Sequence, residues 1–99
     1  MQQEITAVDE PQARFLFGRI MATPNARDQI PNDEILIALS RHVRGDWGTL
    51  DPESQEANEN ALKQGGRLFS VYRSTRNIKF WIITECDRSA TTVLLPEDY

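Results

Sequence analysis

The last third of the chain constrains the fold most. After the paired Gly65-Gly66, three runs rich in β-branched and aromatic residues follow in close succession: RLFSVYR (67–73), IKFWIIT (78–84) and TTVLL (91–95). Such residues suit a pleated, half-buried surface, and each run ends in turn chemistry, at Ser74–Asn77, Asp87–Ala90 and Pro96. Connections this short imply neighbouring strands, so an antiparallel β-meander of three or more strands is predicted. Its middle run is apolar on both faces: alternation sends Phe80 and Ile82 one way, Trp81 and Ile83 the other. A sheet with helices on one side only normally alternates apolar with polar. The second face is therefore expected either to be covered within the chain, by the N-terminal segment, or to meet a protein partner or a second copy in a homodimer.

Upstream the pattern is helical. Thr23-Pro24 and Asp51-Pro52 each read as an N-cap followed by proline at the first helical position. Asn32 is the N-cap candidate between them, with Asp33 and Glu34 in the first turn and Ile35, Leu36, Leu39 and Val43 at helical spacing up to the stop at Gly45. The third helix runs through Ala57, Ala61 and Leu62 to Gly65-Gly66, with Glu53, Gln55, Glu56, Glu59, Asn60 and Lys63 outward. ARFLFGRIMA (13–22) reads as a further strand or as the first turns of a helix, and residues 1–12 as a flexible N-terminal arm. The fold class is thus α+β, two or three N-terminal helices packed on the meander in a single domain over 13–99.

Ninety-nine residues, 39% hydrophobic and 26% charged, make one globular domain rather than a disordered chain. The longest apolar run, Phe80–Ile83, is far short of the ~20 residues of a membrane span, so no membrane association is expected. MQQEITAVDEPQ lacks the charged and apolar regions of a secretory leader. One cysteine, Cys86, admits no intrachain disulfide and fits a reducing, cytoplasmic setting. With one Cys and one His, neither a metal site nor a cofactor is expected. Residues 1–66 carry six Lys/Arg against eleven Asp/Glu, and residues 67–99 carry five against four. This acidic balance makes direct nucleic-acid binding less favourable and suits a basic partner, such as a nucleic-acid-binding protein.

Chemistry-bearing residues gather in three places. In RHVRGDWG (41–48), His42 is the sole histidine: either a helix-terminal residue beside Arg41 and Arg44, or a general acid or base. Trp47 is expected to fold back on the core, and Asp46 to cap Gly48–Thr49 or to orient His42. On the first meander strand Ser70 and Tyr72 share a face, a candidate polar floor, while Arg67 points oppositely unless a bulge intervenes. In TECDRSATT (84–92), Arg88 at a turn tip, with Thr91 or Thr92, offers donors for phosphate or carboxylate. Glu85 and Asp87 beside Cys86 disfavour its thiolate. Glycine-rich phosphate loops, nucleophile elbows and metalloprotease motifs are absent.

GRIMATPNA, RHVRGDWG, GGRLFSVYR and WIITECDRSATTVLLPEDY together resemble a family of small proteins of plasmids and other mobile elements, without an assigned activity, over about residues 18–99. The resemblance implies an accessory role in plasmid maintenance or against host defence, usually by binding another protein. The order of elements is also similar to barnase-like RNases and ribosome-dependent toxin nucleases. That analogy implies His42 as acid or base, Arg67 and Arg88 on phosphate, and Tyr72, Ser70 and Thr92 positioning RNA. Two functions are therefore expected: a non-enzymatic interaction protein, an inhibitor or regulator using Trp81, Asp46, Trp47, Glu53, Glu56 and Glu59; or a metal-independent nuclease built on His42, Arg67, Tyr72 and Arg88.

Overall fold

Local capping chemistry sets the helices. In the computed structural model, which describes residues 3–5 and 10–99, the Thr23 hydroxyl accepts the Ala26 N–H at the start of α1 (Pro24–Gln29). The Asp51 carboxylate accepts the Ser54 N–H in the same way at the start of α3 (Pro52–Gln64). Proline follows each cap without loss, because the amide it lacks would have no helical acceptor. Between them α2 (Asn32–Val43) starts one residue earlier than the Asn32 cap expected: Pro31 occupies the cap position, and no side chain caps the helix. The Pro31 carbonyl accepts from Glu34 and Ile35 N–H, and Asp33 and Glu34 supply negative charge at the positive end.

The strands form one mixed sheet. β1 (Gln3–Ile5), β2 (Arg19–Ala22), β3 (Leu68–Arg73), β4 (Lys79–Thr84) and β5 (Ala90–Leu94) lie in the order β1-β2-β5-β4-β3. β3, β4 and β5 are the antiparallel meander, and the α+β architecture with helices ahead of it is as the sequence indicates. β2 adds to it as a parallel neighbour of β5. A parallel pair needs a long crossover, and here all three helices and the β3–β4 hairpin intervene. Only the end of ARFLFGRI enters this strand. Of the arm expected over 1–12, residues 3–5 pair with β2, and residues 1–2 and 6–9 lie outside the described residues. Among the described residues no helix is long and apolar enough to cross a membrane.

Helices α1 and α2 cover one face of the sheet. Ile35 and Leu39 of α2 and Ile30 after α1 bury against Phe80, Ile82 and Val93, all essentially inaccessible to solvent. α3 differs from its expected packing: Ala57 is exposed, and Asn58 is the buried residue of the helix. The Asn58 amide donates to the Phe69 carbonyl and accepts the Phe69 N–H, at 2.7 and 3.2 Å, along the outer border of β3. Farther along that border the Trp47 carbonyl accepts the Val71 N–H, and Thr49 N–H donates to the Val71 carbonyl.

This border contact requires Gly48. Its φ is +74°, and a Cβ there would lie 1.9 Å from the Val71 oxygen. Gly65, at φ +83°, has nothing within 4 Å of such a Cβ. Gly65→Ala should therefore cost only the backbone strain of its positive-φ, extended-ψ conformation (ψ 141°), about 1–3 kcal/mol. Gly48→Ala should cost about 3 kcal/mol or more, since strain and overlap combine. Urea midpoints of the two variants measure the difference, and equal losses would mean that the close approach carries no energy of its own.

Candidate functional site

His42 is sealed in the core. It is wholly inaccessible, with Phe15 and Trp47 rings edge-on to it at centroid distances of 5.3 and 5.6 Å. Both ring nitrogens are engaged: Nδ1 with Ser70 Oγ at 2.6 Å and Nε2 with Thr84 Oγ1 at 2.9 Å. The direction of the chain of bonds fixes the tautomer. Thr91 donates its hydroxyl proton to the Phe17 carbonyl at 2.8 Å, so it must accept from Thr84 across 2.8 Å. Thr84 then accepts from Nε2–H, and Ser70 donates to Nδ1. A neutral imidazole satisfies every partner. Burial first, and the Arg88 charge second, push the pKa of His42 down to about 3.

The four residues of the nuclease reading do not meet in a cleft. Tyr72 is buried on the helix-covered face and donates to the Asp46 carbonyl at 2.5 Å, and burial raises its pKa well above the usual phenol. Arg67 projects from the other side of the sheet, as alternation predicts, with Ser70 and Tyr72 facing away from it. Arg88 is not a donor at a turn tip. Its guanidinium folds back on the carbonyls of Gly66, Ala61 and Glu85, at 2.5, 3.1 and 3.0 Å, and ties the end of α3 to the β4–β5 connection. Thr91 is buried, Thr92 half-buried, and Cys86 exposed. Among the described residues no three of His, Cys, Asp and Glu gather where they would hold a metal ion.

The candidate partner residues divide as well. Trp47 is not available to a partner: it is 4% exposed, and its Nε1 donates to Glu59 at 3.1 Å. Glu59 also accepts a two-pronged contact from Arg14 at 3.0 and 3.2 Å, which holds its carboxyl below the usual range. Asp46 accepts from Arg41 and from the Gly48 N–H; it caps the turn and does not touch His42. Glu53 and Glu56 remain exposed on α3.

Trp81 lies on the sheet face that no helix covers. It is half-buried at the centre of a slot of about 290 Å³, with Phe69, Ile83, Tyr99 and Arg67 as the other walls. The Phe69 and Tyr99 rings meet it edge-on at 5.1 and 5.8 Å. Arg67 donates to the Tyr99 hydroxyl at 2.9 Å, with its guanidinium 5.4 Å from that ring. Past Phe69 and Trp81 the slot continues into a shallower trough of about 440 Å³ floored by Leu50 and Val71 and flanked by Arg73, Lys79 and Asp51. The 3₁₀ turn Pro96–Asp98 brings Tyr99 here. Asp98 holds that turn by accepting from the Thr23 hydroxyl at 2.7 Å and from the Leu95 N–H at 3.0 Å.

Sequence reasoning reaches Trp81 and does not reach Phe69 or Tyr99 as site residues. The signal for Phe69 is present in its alternation with Ser70 and Tyr72, whereas nothing near Tyr99 announces its neighbours. In comparisons with known proteins, no family model, no curated sequence and no solved structure matches the chain.

The sealed imidazole makes stability pH-dependent. In the unfolded chain a histidine titrates near ~6.5, whereas His42 in the fold stays neutral until about 3. Between those values the unfolded state binds the extra proton, so stability is complete above ~6.5 and is lost as pH falls. The loss should approach ~1.4 kcal/mol per pH unit, or ~2 kcal/mol from pH ~6.5 to ~5, where the carboxylates are still ionised. Urea unfolding at several pH values should show that slope in the wild type and not in His42→Gln.

Proposed function

We propose that the protein is a small binding module without chemistry of its own and that it docks a protein partner on the open face of its sheet. One observation carries this reading: the helix-free face holds an aromatic slot around a half-buried Trp81. A monomer gains nothing from leaving such a ring partly wet, and aromatic side chains in shallow pockets are where recognition energy concentrates. The enclosed His42, by contrast, has no path to a substrate and no proton to exchange near neutral pH. The resemblance to mobile-element proteins supports a cytoplasmic accessory role, as an inhibitor or regulator acting through such a contact.

A photo-crosslinking amino acid tests this directly. Placed at Lys79, on the rim of the open face, it should give a discrete adduct with one partner in cells that carry the protein. The same group at Glu56, on the outer side of α3, should give none. Adducts from Glu56 alone would move the interface to the helices and overturn the reading. Trp81→Ser should abolish the Lys79 adduct at a stability cost of about 1–2 kcal/mol. Trp47→Ala, which empties a sealed site, should cost ~3–5 kcal/mol and unfold much of the protein. Pure protein should leave RNA intact with or without ribosomes; cleavage lost in Arg67→Ala would reinstate the nuclease.

A further inference from the structure

The open face also has a chemical preference, and this step rests on the docking surface proposed above. The slot of about 290 Å³ is at the small end for ligand pockets and has the scale of one large side chain, not of a whole cofactor. Its walls are four apolar or aromatic residues, with Arg67 as the charged one. Arg67 spends one N–H on Tyr99 and lies over its ring, which leaves further donors of the guanidinium fork for an anion. At the far end of the trough Arg73 and Lys79 face each other in register on β3 and β4. Arg73 is held loosely at 3.3 Å by the Asn77 carbonyl and side chain. The acids at the margin are Asp51, committed to capping α3, and Glu85, beside Arg67. Among the described residues, three cations therefore bracket the slot and trough against two acids, on a molecule whose net charge is −4.

From Arg67 to Arg73 is six residues of strand, or ~20 Å at ~3.3 Å per residue. An extended peptide of about six residues has the same span. It must lie across the face, since the β3 border is already bonded to Asn58 and to the Trp47–Thr49 segment, and strand addition there is closed. Anchoring then comes from a side chain in the slot, and orientation from charges at the two ends. A single-stranded nucleic acid fits less well. The Phe69 and Tyr99 rings stand edge-on to Trp81 at 79° and 68°, which makes a slot instead of flat tiers for successive bases. We infer that the trough binds an extended, acidic segment of the partner polypeptide, with one aromatic or large aliphatic side chain seated among Phe69, Trp81, Ile83 and Tyr99.

Calorimetric titration with blocked peptides tests the inference. Asp-Glu-Leu-Phe-Asp-Glu should bind saturably at one per chain with a dissociation constant of ~10–1000 μM, weakening as salt rises. Trp81→Ser should weaken it at least about tenfold, and Lys79→Glu about three- to tenfold, with the far-ultraviolet circular dichroism unchanged in both. Asp-Glu-Ser-Ser-Asp-Glu should not bind. Trp81-dependent binding of Lys-Arg-Leu-Phe-Lys-Arg in place of the acidic peptide would overturn the charge preference while leaving the face a docking surface. Tighter, Trp81-dependent binding of an oligothymidylate, or a dimer lost in Trp81→Ser, would overturn the inference in favour of nucleic acid or of a second copy. If none of these probes binds in a Trp81-dependent way and the Lys79 photo-adduct is also missing, the docking reading falls with it.

Discussion

β4 carries apolar side chains on both sides, and the helices cover one side only. From that imbalance the rest of the molecule follows. Phe80 and Ile82 are enclosed beneath α1 and α2, at 2% and 0% exposure, and form the centre of the core. On the reverse, Ile83 and Leu94 are buried at 6% each, while Trp81 is left half-covered among Arg67, Phe69, Ile83 and Tyr99. A small domain has too little chain to bury both faces of a five-stranded sheet, because the surface it must cover grows relative to its interior as size falls. What remains apolar and accessible is the place where another molecule gains most by joining.

The covered side has its own ordering device. Ser70, Thr84 and Thr91 sit on three adjacent strands, and His42 reaches down from α2 to join them into one directed series of hydrogen bonds ending at the Phe17 carbonyl. Apolar packing alone would let a helix slide over a sheet with little change in buried area. Polar groups that can be satisfied only in one register do not allow that, since each orphaned group costs ~1–3 kcal/mol. The histidine that a catalytic reading singles out is thus the pin that sets where α2 rests.

Local chemistry was legible in the residues. Thr23 and Asp51 cap as expected because a cap depends on residues within one turn, and Ser70 and Tyr72 oppose Arg67 because alternation is a property of any strand. Long-range neighbours were not. Nothing in ARFLFGRI marks β5 as its parallel partner, and nothing in α3 distinguishes Asn58 from its other polar residues as the one turned inward. Arg88 misled for a related reason: a long side chain beside a turn can project or fold back, and three carbonyls at the end of α3 decide which. At the site, Trp81 was foreseeable from the two-sided strand, but its outer wall depends on Asp98 reaching Thr23, seventy-five positions away in the chain.

The Asn58 amide has a wider consequence. By presenting one donor and one acceptor to Phe69, it plays the part of a neighbouring strand without being one. A bare outermost strand is a template on which further chains can stack without limit, toward fibrils. Here that border ends in a side chain that offers no next rung. Growth of the sheet by recruitment of other molecules is terminated on the β3 side, so the apolar area of the broad face is not joined by an open edge there.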